Sequence, residues 1–203
     1  MLIGKLLNIP FFIIGLLLSA QVIGQILPPD RWYDGQIVLN DQSKVLGKVK
    51  YDFGGNSILL KSAQEFETYT PENVLKVDIS DSSSNKRHFE VHSYQSGKYL
   101  SRAMFFEVLV DSVTKLYCRE ELVYYSSTTP SNQGPGRVRR LLVYKYFYRG
   151  TDGQLVYFKN SKQSVLKILR IHKEAITDFV SENKLKYSSH RDLITIFKYY
   201  NRL

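Results

Sequence analysis

The chain has 203 residues, of which 43% are hydrophobic and 13% aromatic, a composition typical of a folded protein and not of a disordered one. Its single cysteine, Cys118, excludes an intrachain disulfide. The formal net charge of +9 allows anionic glycans, lipid headgroups, nucleic acids and acidic proteins as partners, and does not choose among them.

Residues 1–24 have the parts of a secretory signal peptide in the usual order. Lys5 provides a positive charge, residues 9–18 form an apolar core, and Val22-Ile23-Gly24 precede Gln25 as a small-residue cleavage site. The alternative is an uncleaved membrane anchor, but polar residues leave the run short of the ~20 apolar residues that a spanning helix needs. We therefore expect an exported protein, periplasmic, envelope-associated or secreted, with no transmembrane segment after cleavage.

Residues 25–158 are predicted to form an antiparallel β-rich body. Short stretches that alternate between apolar and polar residues are separated by turn signals such as Gly54-Gly55-Asn56, which is typical of a small barrel-like or curled sheet. The first five predicted strands are 36–39, 45–51, 57–61, 66–69 and 75–79. After the polar segment 81–86, a possible sub-boundary, further strands are predicted at 87–91, 104–110, 114–118, 141–148 and 154–158.

From Lys159 onward the period of the apolar residues changes from two to 3.6, which predicts three short helices. Ser189 and Asp192 resemble the capping box that begins a helix, and Asn183 lies where the preceding helix is expected to end. This segment, residues 159–203, carries ten Lys and Arg against four Asp and Glu. The predicted fold is therefore α+β, with a β-rich body and a basic C-terminal cap of three helices packed on the sheet.

The sequence contains no recognised catalytic or metal-binding motif. His88 and His92 share a strand face, but four residues along a strand span roughly 13 Å, too far for one metal ion. Cys118 lies in an alternating stretch and is predicted to be an inward-facing structural thiol. We therefore predict no catalytic residue, no cofactor and no metal site.

An enzyme is the competing class. A hydrolase acting on cell-wall or glycan material needs two carboxylates on facing elements. The strands offer several candidates for such a pair, namely Glu90, Glu107, Glu120 and Glu121.

Two basic clusters are candidate binding sites for an anionic surface. Arg137, Arg139 and Arg140 precede the aromatic run 144–148, and cations placed among aromatic rings can bind anionic polymers. The alternative is a strand whose tyrosines pack inward while its cations remain solvated.

The second basic cluster is on the last predicted helix. Arg191, Lys198 and Arg202 are expected to share one face, while Leu193, Phe197 and Tyr200 occupy another. The alternative is a solvated face that keeps an exported protein soluble. The expected partner is an envelope protein or an anionic glycan or lipid surface, and export makes nucleic acid an unexpected partner.

Several short motifs carry a resemblance to a known group of proteins. Trp32, Gly35, Ile37 and Leu39 form a W-x-x-G-x-[IV]-x-L opening, and Gly47, Val49 and Tyr51 follow as G-x-[IV]-x-Y. A T-x-x-x-V turn follows at Thr70–Val74, and Tyr200-Asn201 lies near the C-terminus. The chain resembles uncharacterised exported proteins of the Bacteroidota, a resemblance that implies export but no activity. We expect a non-enzymatic binding or structural module of the cell envelope, with the hydrolase as the alternative.

Overall fold

The computed structural model describes residues 31–63, 65–82, 85–95, 101–126, 138–149 and 153–203. These residues form ten antiparallel strands in one sheet and three C-terminal α-helices, so the predicted α+β class with a helical cap is confirmed. The strands are β1 (Tyr33–Leu39), β2 (Lys44–Asp52), β3 (Ser57–Ser62), β4 (Glu65–Tyr69), β5 (Val74–Ser80), β6 (Lys86–Gln95), β7 (Ser101–Val110), β8 (Leu116–Ser126), β9 (Val138–Arg149) and β10 (Leu155–Phe158). The helices are α1 (Lys162–Ile168), α2 (Lys173–Glu182) and α3 (His190–Tyr200), with a 3₁₀ turn at Arg170–His172.

Neighbours in the sheet are neighbours in the chain, with one exception. The strand order is β10-β9-β8-β7-β6-β5-β1-β2-β3-β4, so the chain returns from β4 to pair β5 with the free side of β1. Asn40 fastens this return, because its Nδ2 donates to the carbonyl oxygen of Glu72 at 2.7 Å. Across the polar segment 81–86, β5 and β6 form a hairpin that remains paired at Ser80 and Lys86.

Apolar side chains form three clusters. The first lies inside the half of the sheet that begins with β1 and ends with β7, which we call the curled half, and it takes residues from each of these strands. The second lies between β7–β10 and the helices and includes Leu116 and Cys118. The third includes Tyr117 and Phe147. Since successive residues of a strand point to opposite faces, the second and third clusters lie on opposite faces of the sheet.

Gly35 and Gly47 allow the first two strands to pack closely against their neighbours. The two glycines are cross-strand partners in β1 and β2. A Cβ on Gly35 would lie 2.5 Å from Cγ2 of Val49, and one on Gly47 would lie 2.9 Å from the carbonyl oxygen of Lys61. Residues with a side chain would therefore force the strands apart in the curled half.

The helices begin and end where the local sequence predicts. Ser189 accepts a hydrogen bond from the Asp192 amide at the start of α3, and Asn183 is the C-cap of α2. At the end of α3, Asn201 holds the loop between β7 and β8, since its amide accepts from Thr114 N and donates to Thr114 O at 2.8 and 3.0 Å. None of the described helices combines the length and the apolar character that crossing a bilayer requires.

Strand β8 is longer than the sequence predicts, and its pairing positions the site described below. The prediction ended this strand at Cys118, whereas β8 continues through Arg119, Glu120 and Glu121 to Ser126. It pairs with β9 over its whole length. Its pairing with β7 is shorter: it begins at Leu116 and stops at Cys118, which is paired with Glu107. Beyond that pair β7 and β8 diverge.

Candidate functional site

A pocket of about 510 Å³ lies where β7 and β8 separate, and we call it the β7–β8 cleft. One side is formed by β7 and the other by β8, and the β2–β3 turn closes over it through Phe53 and Gly54. The buried side chains of Met104 and Phe147 form part of its lining, together with Tyr94. Its charged lining residues are Arg102, Arg119, Glu121 and Lys145. The described residues of the lining therefore combine an apolar and aromatic part with three cations and one carboxylate.

Arg119 is the innermost of these cations, with 6% of its surface exposed. Its Nη1 donates to Oδ1 of Asn56 and to the carbonyl oxygen of Phe105, each at 3.0 Å. Its Nε is buried without a hydrogen-bond partner. The Cζ atom lies 5.6 Å from the centre of the Phe106 ring, which gives a cation–π contact. Within the described part of the chain, no carboxylate forms an ion pair with this guanidinium.

Asn56 explains how β7 tolerates the loss of its strand partner. The Asn56 amide donates to Ala103 O at 3.3 Å and accepts from Phe105 N at 3.2 Å, the two bonds that a residue of a neighbouring strand would make. Asn56 has a φ of 50°, a left-handed conformation that asparagine adopts more readily than most residues. The β2–β3 turn thus fastens the curled half of the sheet to the edge of β7 and orients Arg119.

The remaining charges of the cleft lie closer to solvent. Arg102 is exposed. Lys145 Nζ lies 2.6 Å from Glu121 Oε2, and both side chains are partly exposed. Because the one carboxylate among the described lining residues is paired with Lys145, Arg102 and Arg119 give this part of the cleft an excess of positive charge.

A second buried arginine, Arg87, lies on the sheet face that carries the helices. Its Nε and Nη2 donate to the two carboxylate oxygens of Glu107 at 2.9 and 2.7 Å, and Nη2 also donates to Glu120 Oε1 at 2.9 Å. Glu120 is 2% exposed and its Oε2 has no partner. Burial raises the pKa of the Glu120 carboxyl, an effect that the charge of Arg87 opposes.

Glu107 and Glu120 are two of the candidates for the carboxylate pair of a hydrolase, and both contact the same nitrogen of Arg87. They do not line the β7–β8 cleft. Each is bound to Arg87, and Glu120 is buried while Glu107 is 14% exposed, so neither is placed to protonate or attack a substrate. The arrangement is an internal ionic cluster.

Glu90 is the centre of a polar cluster on the other face of β6. Its Oε2 accepts from Tyr117 Oη at 2.9 Å and lies 2.8 Å from His92 Nε2, and its Oε1 accepts from Lys115 Nζ at 3.1 Å. The hydrogen bond with His92, followed by those from Lys115 and Tyr117, lowers the pKa of Glu90 to about 2 despite its partial burial. His88 Nε2 lies 3.9 Å from Glu90 Oε1. The two strand histidines thus flank one carboxylate.

No group of three or more His, Cys, Asp or Glu side chains within the described ranges has an arrangement that could hold a metal ion. In the Glu90 cluster, the ammonium group of Lys115 occupies the position beside the carboxylate that a cation would take. Cys118 is 1% exposed, and burial raises the pKa of its thiol. The prediction that Cys118 faces the interior is confirmed.

The structure separates the basic residues that the sequence singled out: some lie on α3 or just after it, some lie in β9, and one lies outside the described residues. Arg191 and Lys198 are exposed on α3, whereas Leu193 and Phe197 of the same helix are buried. Arg202 lies in the turn after α3, which ends at Tyr200, and does not extend the helical stripe. Arg139 and Arg140 lie in β9, and Arg137 lies outside the described residues.

Sequence reasoning missed Arg119, Arg102 and Asn56 as site residues. One signal was present: Arg119, Glu120 and Glu121 are consecutive, and three consecutive charges in a strand place at least one of them on each face. The signal does not say that Glu120 turns to Arg87 while Arg119 turns to the cleft. Asn56 is 63 residues from Arg119 in the chain and carried only a turn signal.

Comparison of the chain with protein-family models, curated proteins and solved structures finds no match.

Proposed function

We propose that this is an exported protein of the cell envelope that binds a ligand bearing an oxyanion, a carboxylate or a phosphate, in the β7–β8 cleft and does not transform it. The observation that carries the proposal is Arg119, a buried guanidinium at the cleft that contacts two neutral oxygens and forms no ion pair with any described carboxylate. A charge in that position needs a counter-ion, and an anion entering the cleft supplies it.

The geometry of Arg119 specifies how the anion would bind. The Nη1 group is committed to Asn56 and Phe105, whereas Nε has no partner. The Nε–Nη2 edge of a guanidinium is one that binds carboxylate and phosphate through two parallel hydrogen bonds. Arg87 uses the same edge to bind Glu107. We therefore place the oxyanion on the Nε–Nη2 edge of Arg119.

The rest of the lining suits a ligand that has an apolar group or a sugar ring in addition to its charged group. Arg102 adds a second cation at the exposed side of the cleft. Tyr94 and Phe147, whose ring centres are 5.1 Å apart, offer aromatic surface for an apolar group or the face of a sugar ring. A pocket of about 510 Å³ has the size of ordinary small-ligand sites.

Binding is favoured over hydrolysis by the positions of the carboxylates. Glu121 is the one described carboxylate of the cleft lining, and it is paired with Lys145. A glycoside hydrolase needs two carboxyl groups on either side of the bond that it cleaves. The cleft therefore has the groups to hold an anion and lacks, among its described residues, a second carboxyl group for that reaction.

Export is the other part of the proposal, and it is supported by the order of charge, apolar core and small residues in 1–24 and by the resemblance to exported Bacteroidota proteins. Mass spectrometry of the protein recovered from cells should find an N-terminus at Gln25, in open or pyroglutamate form. Recovery of a chain that begins at Met1 would contradict cleavage and favour the anchor.

The binding proposal is tested by isothermal titration of the purified protein with inorganic phosphate and with glutarate, each at low salt. Replacing Arg119 by Gln should weaken binding of the better probe by at least about tenfold, because a charge-assisted bidentate contact is lost. Arg119→Lys keeps the charge without the fork and should restore part of the affinity. Arg102→Gln, at an exposed position, should weaken binding less.

The matched control is Arg170→Gln, which makes the same charge change at an exposed position in the helical layer and should leave binding unchanged. Should Arg119→Gln fail to fold, Arg102→Gln still decides the question at the same site. Undiminished affinity in both cleft variants, or no binding of either anion by the wild type, would contradict the proposal.

A further inference from the structure

Strand β8 has an unpaired backbone edge facing the cleft, and this edge indicates which class of ligand the cleft binds. β8 pairs with β9 at every position from Leu116 to Ser126. Its pairing with β7 stops at Cys118, so residues 119–126 have a strand partner on one side and, within the described residues, none on the other. Eight residues are as long as an ordinary strand. Unpaired strand edges of this kind bind a further strand readily.

The opposite edge of the cleft does not need a further strand. On β7, the carbonyl oxygens of Ala103 and Phe105 and the amide of Phe105 already bond to the side chains of Asn56 and Arg119. These side chains substitute for a neighbouring strand over that part of β7. The position available to an added strand is therefore alongside β8, and its side chains would pass Arg119.

Charge decides what kind of strand fits. Among the residues that the structure describes, the cleft lining carries Arg102, Arg119 and Lys145 against one carboxylate, that of Glu121. The two chain segments that connect to this end of β7 and β8, residues 96–100 and 127–137, contain no aspartate or glutamate. The chain's own adjoining segments thus do not supply the carboxylate that Arg119 would bind.

We infer that the ligand of the β7–β8 cleft is an acidic segment of another protein, bound in extended conformation as an additional strand along β8. The inference rests on the proposed function and specifies the ligand of the same site. Backbone hydrogen bonds to β8 supply sequence-independent affinity, and a glutamate or aspartate side chain on the Nε–Nη2 edge of Arg119 supplies selectivity. Side chains two residues apart point the same way, so a peptide with acidic residues at alternate positions presents a carboxylate to Arg119 whichever of those residues lies opposite it.

The test uses a capped seven-residue peptide in which glutamate alternates with valine, a matched peptide with glutamine for glutamate, and two peptides N-methylated at alternate residues, one in each register. The parent should bind the full-length mature protein, and the glutamine peptide should bind at least about tenfold more weakly. One N-methylated register should lose a similar factor, because its missing amides are those that bond to β8. The other register should bind like the parent.

Hydrogen exchange gives an independent measurement at the backbone. Alternate amides of residues 119–126 should gain protection when the parent peptide binds, since the amides between them are already bonded to β9. Inorganic phosphate should bind without protecting these amides. Arg119→Gln should weaken the peptide by at least about tenfold, and Arg170→Gln should leave it unchanged.

Three other results would overturn strand addition, the peptide as ligand, or the proposed function itself. Equal binding of both N-methylated peptides and the parent overturns strand addition. Arg119-dependent binding of a galacturonic acid tetramer, with no binding of the peptide, overturns the peptide as ligand and leaves the oxyanion site standing. Failure of both phosphate and glutarate to bind overturns the proposed function and, with it, this inference.

Discussion

Two buried arginines of the sheet differ in their partners. One forms ion pairs with carboxylates of the protein, and the other forms none with any described carboxylate. Arg87 and Arg119 are 9% and 6% exposed, and each lies over a phenylalanine ring, with Cζ 5.0 Å from the centre of Phe89 and 5.6 Å from that of Phe106. Arg87 is bound by two carboxylates, whereas Arg119 contacts a carbonyl and an amide oxygen. The two arginines are therefore buried to a similar extent, but the surroundings of Arg87 have an excess of negative charge and those of Arg119 an excess of positive charge.

The difference follows from strand pairing. Glu107 is one member of the last β7–β8 pair, Glu107–Cys118, and Glu120 lies two residues beyond Cys118, and the side chains of both meet Arg87 on the helix-covered face. Arg119 is the next residue after that pair, and the strands separate there. A buried charge whose partner is supplied internally is compensated, so removing either partner destabilises the fold, whereas a buried charge at an opening between strands is suited to an external partner.

The largest expected effect compares Arg87→Met with Arg119→Met in guanidinium unfolding. Arg87→Met leaves two carboxylates buried without a cation and should lower the free energy of unfolding by about 3–5 kcal/mol. Arg119→Met removes a charge that has no internal counter-ion and loses two hydrogen bonds to neutral oxygens, so it should lose only about 1–2 kcal/mol.

Lys48→Met provides the control for that comparison, because the pair of Lys48 with Asp34 is exposed and should contribute at most about 1 kcal/mol. Equal losses for the two arginine variants would break the comparison and make Arg119 a structural residue.

The next largest effect is expected when Arg119 is given a carboxylate partner within the protein, as Arg87 has. Asn56 Oδ1 lies 3.0 Å from Arg119 Nη1, so Asn56→Asp places a carboxylate beside the guanidinium. An internal counter-ion competes with the ligand, and the affinity for phosphate in isothermal titration should fall by at least about tenfold. Gln163→Glu adds the same charge on the exposed surface of α1 and should have no effect. Unchanged affinity in Asn56→Asp would show that the anion does not bind at Arg119.

A smaller effect concerns the excess carboxylate of the Arg87 cluster. The pKa of Glu120 in the folded protein lies above its ordinary value of 4.5, so the folded state holds a proton that the unfolded state releases first. As pH rises from about 4.5 through the folded-state pKa, this group should therefore lower the free energy of unfolding. Urea unfolding at several pH values should show that decrease in the wild type and less of it in Glu120→Gln. Identical pH dependence of the two proteins would contradict the assignment.

The smallest effect is expected from the exposed cations at the C-terminus, which lie in neither buried region. Arg191, Lys198 and Arg202 replaced together by Gln should reduce retention on anionic vesicles at 0.1 M salt, where the Debye length is ~10 Å, and make no difference at 1 M, where it is ~3 Å. Retention measured in a vesicle sedimentation assay separates this from the cleft, since Arg119→Gln should leave it unchanged. Equal retention of the triple variant and the wild type at 0.1 M would exclude the C-terminal cations as a binding surface.

Local sequence determined the elements and which of their faces are buried. Period-two alternation in the strands and 3.6-residue periodicity after Lys159 gave the α+β class, the caps at Ser189 and Asn183 were placed correctly, and Cys118 was assigned to the interior. These properties depend on residues within a few positions of one another. They can therefore be read from one segment at a time.

Tertiary structure alone decided the candidate site. The continuation of β8 past Cys118 depends on pairing with β9, which compensates for three consecutive charged residues that break the apolar alternation. The separation of β7 from β8, the reach of Asn56 to Arg119 and the meeting of Arg87 with Glu107 and Glu120 each depend on residues 14 to 63 positions apart. Periodicity reports which face of a strand is apolar, but it carries no information on which edge has a partner. The physical reason is that edge pairing joins backbone groups, which are the same in almost every residue.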